Sequence, residues 1–411
     1  MVFKWMVLII LTLLYLYNLL LHMVRLRSAG NPIPDNVSDI YDEESFLRWR
    51  AYHAEKTRLS IASSTAGYVI DLVLLAFNVY AAFAGVFPQT DFMQMFAVLL
   101  LSELSSLLLL PFSWHETMVI EEKYGFNKAT AATFLGDQVK SFIIGLVITT
   151  GIGAALMYFH LALGDWLIPA FAGITTVGVM IVSFLYPFLS RIFNKFKPLE
   201  DGKLKDRLTD LLEKNGYHVR KIEVMDASRR TTKSNAYFSG FGKMKTIVLY
   251  DTLVEAMTPE EITAVFAHEL GHGLHKDTLR NQILSFVQML ILGVLAWLTV
   301  KLVPMFQAFG FIEVNYGFVL ILVMNIELAL VYPLMSLMRN YFSRRAEYRA
   351  DAHAVQEGYG AELISALKKL ARQNYSELSP SPLLVRLEYT HPPLSRRIDA
   401  IEKSISKESV S

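Results

Sequence analysis

About seven stretches of this chain are apolar and long enough to cross a lipid bilayer, and no other feature restricts its fold as strongly. Backbone groups in hydrocarbon have no water to bond, so each crossing stretch is expected to be a helix. The stretches lie near 3–24, 67–87, 92–112, 141–163, 166–188, 283–306 and 314–337. Composition agrees with this. The chain is 53% hydrophobic and 19% charged, whereas soluble domains carry about 25% charge. The first run is flanked by Lys4 and by Arg25 and Arg27. Its length, and the lack of a small-x-small cleavage site, mark it as a retained span rather than a signal peptide.

Residues 1–190 therefore read as a membrane domain. Residues 191–411 read as a second domain interrupted by the last two spans. Within it, 191–280 has the composition of a soluble fold. Leu204 to Asn215 is an amphipathic helix stopped by Gly216. Ile222 to Met225 reads as a strand. Ser234 to Phe238 and Thr246 to Tyr250 read as a hairpin around the glycines 240 and 242. Thr258-Pro259-Glu260-Glu261 opens a helix with a capping threonine, a proline at the first helical position and a glutamate completing the capping box. The class is a mainly α membrane protein with a small α+β domain. Lys and Arg cluster in 25–65, 116–140, 191–280 and 338–411, which seven spans place on one side of the membrane. The positive-inside rule makes that side the cytosol.

Other chemistry is excluded or unsupported. The formal net charge is +1, and the basic residues sit beside apolar spans, so nothing points to nucleic acid. The chain has no cysteine, which excludes disulfides, thiolate metal sites and a cysteine nucleophile. Nothing implies an oligomer.

The helix opened by Thr258 carries His268-Glu269-Leu270-Gly271-His272, an H-E-x-x-H pattern. Residues i and i+4 share a helical face, so His268 and His272 can offer two imidazoles to one metal ion, with Glu269 placed as general base. Zn²⁺ in a catalytic site takes three protein ligands and keeps an open position. The third ligand is expected from Glu347, which shares a helical face with Asp351 after the last span. Asp351 is then placed to fix the tautomer of a liganding imidazole or to move a proton. The competing reading of Glu347 and Asp351 is an exposed helix paired with Arg344, Arg345 and Arg349. His275 reads as a helix-surface residue. Asp277 is read either as orienting a neighbour or as a solvated charge. His391, before Pro392 and Pro393, is read as a donor to an oxyanion or as surface, with Arg397 supporting the local fold. Asp71, Glu103 and Glu327 fall inside apolar spans, where ionisable groups face protein or water.

Together these motifs resemble the type I CAAX prenyl endopeptidases, membrane zinc metalloproteases of the gluzincin class. The resemblance runs over almost the whole chain. It is carried by Ile120 through Thr130, Ser234 through Phe238, Val248 through Leu253, the H-E-L-G-H helix, Glu347 through Asp351, and His391-Pro392-Pro393. It implies seven helices around a water-filled chamber with a gluzincin-type domain on the cytosolic side. It implies one zinc ion on His268, His272 and Glu347. It also implies a peptide or prenylated-peptide substrate that pairs with an edge strand at Thr246–Tyr250, including Ile247 and Val248, with Asn235 holding substrate backbone. Zinc would polarise the scissile carbonyl, and Glu269 would pass the water's proton to the leaving amine. Gly273 and Asp277 depart from the eukaryotic pattern, where tryptophan and histidine are common. They suggest a prokaryotic branch and hence a bacterial inner membrane; a eukaryotic chain would sit in the endoplasmic reticulum. Two other readings are a general quality-control protease, whose known kind has fewer spans, and a non-enzymatic scaffold or transporter. The intact Glu269 argues against the second.

Overall fold

The computed structural model describes all residues except 240–245, 276 and 409–411. At 171, 172, 175, 179, 180, 182–189, 238, 239 and 278 only the backbone is described. The chain is mainly helical, and six described helices are long and apolar enough to cross a membrane. Helix α1 is Val2–Ser28. Helix α2 is Glu43–Ala76, and α3 is Asp91–Glu121. Helix α4 is Ala131–Leu163. Helix α5, Leu167–Phe193, coincides with the expected fifth span, but many of its side chains lie outside the described ones.

The expected spans and the observed helices differ in their boundaries. The segment 25–65, expected to be polar and helical, is helical from Glu43 on and is continuous with the second span in α2. That helix ends at Phe77 because Asn78 is left-handed, with φ 56. Asn78 takes this conformation more readily than most residues, and Lys4 Nζ donates to its Oδ1 at 2.8 Å. The sixth span ends at Lys301 rather than 306. A separate short helix, Val303–Ala308, then turns the chain back.

Strand β1, Phe196–Pro198, is followed by helix α6, Lys203–Lys214, and strand β2, Lys221–Met225. Strand β3 is Ala236–Ser239 and β4 is Thr246–Tyr250. The sheet order is β1-β2-β4-β3. Strand β4 pairs with β2 in parallel and with β3 antiparallel. This corrects the expected edge position of Thr246–Tyr250. The strand is internal, Ile247 and Val248 are each 2% exposed, and the edge is β3. Thr246–Tyr250 carries a continuous apolar run rather than an alternating one, which suits a strand covered on both faces but does not give the strand order. The turn around glycines 240 and 242 lies outside the described residues.

Helix α7 is Pro259–Leu274. Its capping box is formed: Glu261 N donates to Thr258 Oγ1 at 3.3 Å, and Thr258 N donates to Glu261 Oε2 at 2.9 Å. Helix α8 is Asp277–Lys301. Helix α9, Tyr316–Gln356, combines the expected seventh span and the Glu347–Asp351 segment in 41 uninterrupted residues, with a π turn at Val323–Glu327 and Pro333 inside. The two were expected as a span and a separate soluble helix. Helices α10, Gly360–Gln373, and α11, Leu394–Glu408, close the fold.

Two large apolar cores result. One joins α1, α3, α4, α8 and α9 in the span region, around Phe306, Phe309 and Phe318. The other lies under the sheet and packs α6, α7, α9 and α10 through Leu208, Leu249, Phe266 and Ala354. Burying each such side chain contributes about 1.5–3 kcal/mol where the alternative is water.

Candidate metal site

The crossing of α7 and α9 depends on a missing side chain. A Cβ on Gly271 would lie 2.9 Å from Ala350 Cα and 3.2 Å from His353 Cβ. Glycine facing alanine lets the two backbones touch, which brings the H-E-x-x-H face against Glu347. His268, His272 and Glu347 form the site. Their potential ligand atoms all lie within 4.8 Å of one another. His268 Nε2 is 3.5 Å from Glu347 Oε2, and His272 Nε2 is 3.3 Å from Glu347 Oε1. Tetrahedral zinc with bonds of about 2.0–2.2 Å puts ligand atoms about 3.3–3.6 Å apart, so the donor set fits one such ion. Glu347 Oε2 is buried, with only nitrogen groups of His391 and Arg397 and the His268 Nε2 facing it among the described residues.

Each imidazole is held through its other nitrogen by a separate carboxylate. His268 Nδ1 is 2.8 Å from Asp351 Oδ1, and His272 Nδ1 is 3.1 Å from Asp277 Oδ2. Those bonds favour a proton on Nδ1 and turn both Nε2 lone pairs toward Glu347. The carboxylates are themselves neutralised. Arg397 donates to Asp351 at 2.6 and 3.0 Å and lies 3.1 Å from Glu347. Asp277 accepts from Arg349 at 2.7 Å and pairs with Arg280 at 2.9 Å. Burial pulls the His272 imidazole down, but the Glu347 and Asp277 carboxylates outweigh it and hold it up at about 9. A cation is thus strongly favoured at this point, and a metal ion would replace the proton.

The remaining candidates fall around this centre. Glu269 is partly exposed, and it lines a small apolar hollow with Ala236, Tyr237 and Ile247 beneath β3. His391 is 61% exposed, and its Nδ1 lies 2.8 Å from Glu347 Oε2, so its nearest partner is a carboxylate. A cavity of about 500 Å³ runs outward from His391 and Arg397 past Asn374 to His53 and Arg25. Asn235 is exposed just before the edge strand, and its side chain accepts from Ala236 N at 2.9 Å. Ile247 and Val248 are behind the edge and offer no free backbone. His275 ends α7, with Nδ1 2.8 Å from Gly271 O, and stands outside the cluster. Tyr217 fills the space over Gly273, where a Cβ would meet its hydroxyl at 2.5 Å, so a tryptophan at 273 requires a different residue at 217. Sequence reasoning missed Arg349 and Arg280 as partners of Asp277. The i+3 spacing of Asp277 and Arg280 was the one local signal.

A peptidase-type metal centre on a multi-span helical scaffold defines a class, and family comparison agrees. Residues 198–405 match peptidase family M48, and residues 22–195 match the CAAX prenyl protease N-terminal family with five membrane helices. The chain belongs to family M48 and is a multi-pass membrane metalloprotease. Among its relatives, the CAAX prenyl protease 1 homolog of Oryza sativa subsp. japonica is 31% identical, over 98% of this chain and 97% of that protein. The CAAX prenyl protease 1 of Saccharomyces cerevisiae is 32% identical over 92% and 90%, and the human homolog is 29% identical over 92% and 90%. The crystal structure of S. mikatae Ste24p superposes with a TM-score of 0.88 at 29% identity, covering 97% of this chain and 99% of that one.

Proposed function

We propose that this protein is a zinc endopeptidase that removes the last three residues of prenylated Cys-a-a-X substrates, the substrate type its relatives' names imply. One ion is held by His268, His272 and Glu347. The observation that carries this reading is the pair of carboxylate-anchored imidazoles whose Nε2 atoms converge on one buried carboxylate. Zinc there supplies Lewis-acid activation of water and of the scissile carbonyl. Glu269 takes the attacking water's proton and delivers it to the leaving amine. Asp351 and Asp277 hold the imidazole tautomers, and Arg397 keeps Asp351 and Glu347 ionised. His391, beside Glu347 and facing the cavity, donates to the developing oxyanion.

The substrate lies extended along the outer edge of β3, as an added strand, with Asn235 at its end. The prenyl chain rests on apolar wall in the chamber enclosed by the spans. Residues 1–190 form the membrane domain and 191–411 the peptidase domain. The active site faces the cytosol; in a prokaryote the membrane is the inner membrane, in a eukaryote the endoplasmic reticulum. The deciding experiment uses purified protein, with and without a chelator, on a farnesylated Cys-a-a-X peptide and an unprenylated control. Chelator-sensitive cleavage of the farnesylated peptide alone is expected. Equal cleavage of both would make it a general peptidase.

A further inference from the structure

The start of edge strand β3 is tied to the membrane domain by a charged cluster that the metal centre does not use. Lys233 precedes Ser234 and Asn235. Its Nζ donates to both Glu121 oxygens, at 3.2 and 3.3 Å, and to the Tyr52 hydroxyl at 3.0 Å. Glu121 also accepts from Tyr52 at 2.6 Å and from Lys56 at 2.9 Å. Lys56 is balanced in turn by Glu116 at 2.8 Å. The Lys233 ammonium stands 4.6 Å over the Phe126 ring. Tyr52, Phe126 and Tyr375 wall it in, with ring centroids 4.9–5.6 Å apart.

The backbone on either side is bound to the same frame. Lys128 N donates to Arg230 O, and Thr232 N donates to Phe126 O. Arg230 forms a two-nitrogen pair with Asp137, at 3.1 and 3.2 Å. Ser234 exchanges two 3.2 Å bonds with the Asn374 side chain. The anchor therefore ends one residue before Asn235, and β3 begins directly after that residue. Strand β3 has four residues and, among the described residues, one neighbouring strand, so bonds from outside the sheet matter to its position. The frame supplies them through charge-assisted bonds in a mostly buried site, where such bonds are strongest.

We propose that Lys233 and Glu121 are positioning residues of the peptidase reaction. They act through the start of β3, holding its edge in register with the metal centre so that an extended peptide can pair there. This rests on the reading of β3 as the substrate edge. The role is one of substrate binding, so it predicts a change in KM with kcat largely kept.

The test uses the full-length metal-loaded protein with K233M, E121Q, the double variant and K233R. Each is assayed for KM, kcat, metal content and Tm. A second substrate carries an N-methyl group on the amide that faces β3. In the unsubstituted protein N-methylation should raise KM. If it does not, the substrate-edge reading fails and the proposal falls with it. Given that rise, K233M and E121Q should each raise KM by about tenfold with kcat within about threefold and metal unchanged. The double variant should be no worse than the worse single, because both break one contact. K233R should restore KM to within about threefold, since its guanidinium can reach the same carboxylate. A wild-type KM in K233M and E121Q, with the N-methyl effect intact, overturns the proposal alone. So does a parallel fall of kcat, KM performance and Tm that K233R does not rescue, which marks a purely structural contact.

Discussion

Residue by residue, the proposed centre separates ligand, base and orienting groups, and each proposed role predicts a different outcome. Glu269→Gln keeps the shape of the site and removes the base. Metal by elemental analysis should stay near wild type while kcat falls by about 10²–10⁴-fold. Glu347→Ala should instead strip metal from the protein, and stoichiometric metal in that variant would remove Glu347 from the ligand set. Asp277→Asn keeps a partner for His272 Nδ1 but loses the charge that Arg349 and Arg280 neutralise. Loss of such an outer partner costs about 10–100-fold in metal affinity, measurable by competition with a chromophoric chelator. His268, Glu269 and His272 are legible in the sequence because a local spacing declares them. Asp351 is legible only as half of a helical pair, because His268 and Arg397 are distant in the chain; Asp277 reads as an ambiguous charge because Arg349, which completes its surroundings, lies 72 residues on.

Among the elements, α7 carries most of the burden, and two features hold it. The first is contact with α9 at Gly271. Gly271→Ala would push a methyl group against Ala350 Cα, at a cost of about 1–3 kcal/mol for overpacking. It should weaken metal binding and lower Tm together, whereas the same change in an open helix would be stabilising by about 1 kcal/mol. The second is the N-terminal box. Glu261 is buried and accepts from Thr258 N, Ser365 Oγ at 2.7 Å and Lys369 Nζ at 2.7 Å. Burial raises its carboxyl, but the bonds from Lys369, Ser365 and Thr258 outweigh this and leave it below the ordinary value. A carboxyl lowered on folding stabilises the fold above its unfolded pKa. That contribution disappears as pH falls through the folded pKa. Glu261→Gln should therefore lower Tm near neutrality, by about 1–2 kcal/mol of stability, and lose less than wild type on acidification below about pH 4.3. Tm against pH for both proteins checks the sign. The capping box and the helix start could be read from four consecutive residues. The internal position of β4 could not, because strand order follows from which apolar faces the surrounding helices cover.

Across the whole molecule, the candidate metal site is tied to two helices long and apolar enough to cross a membrane. Helix α9 is at once a span and the bearer of Glu347, and α8 starts at Asp277. Sidedness is open to direct measurement, since the chain has no cysteine of its own. Gln89→Cys in the turn before α3 and Lys403→Cys on α11 are both at exposed positions. On the proposed topology in a bacterial inner membrane, an impermeant maleimide on intact spheroplasts should label Gln89→Cys and not Lys403→Cys. The reverse pattern would invert the topology. From the sequence by itself come the apolar stretches long enough to cross a membrane, the one-sided clustering of the basic residues, and the H-E-x-x-H spacing of His268, Glu269 and His272. These rest on local periodicity, composition and short spacing, which survive without knowledge of neighbours. Tertiary structure alone decided the rest: the Gly271–Ala350 contact that delivers Glu347, the pairing of Asp277 with Arg349, the edge strand, and the cluster at Lys233. Those depend on which surfaces meet across tens or hundreds of residues, and the packing that brings them together is a property of the whole fold rather than of any segment.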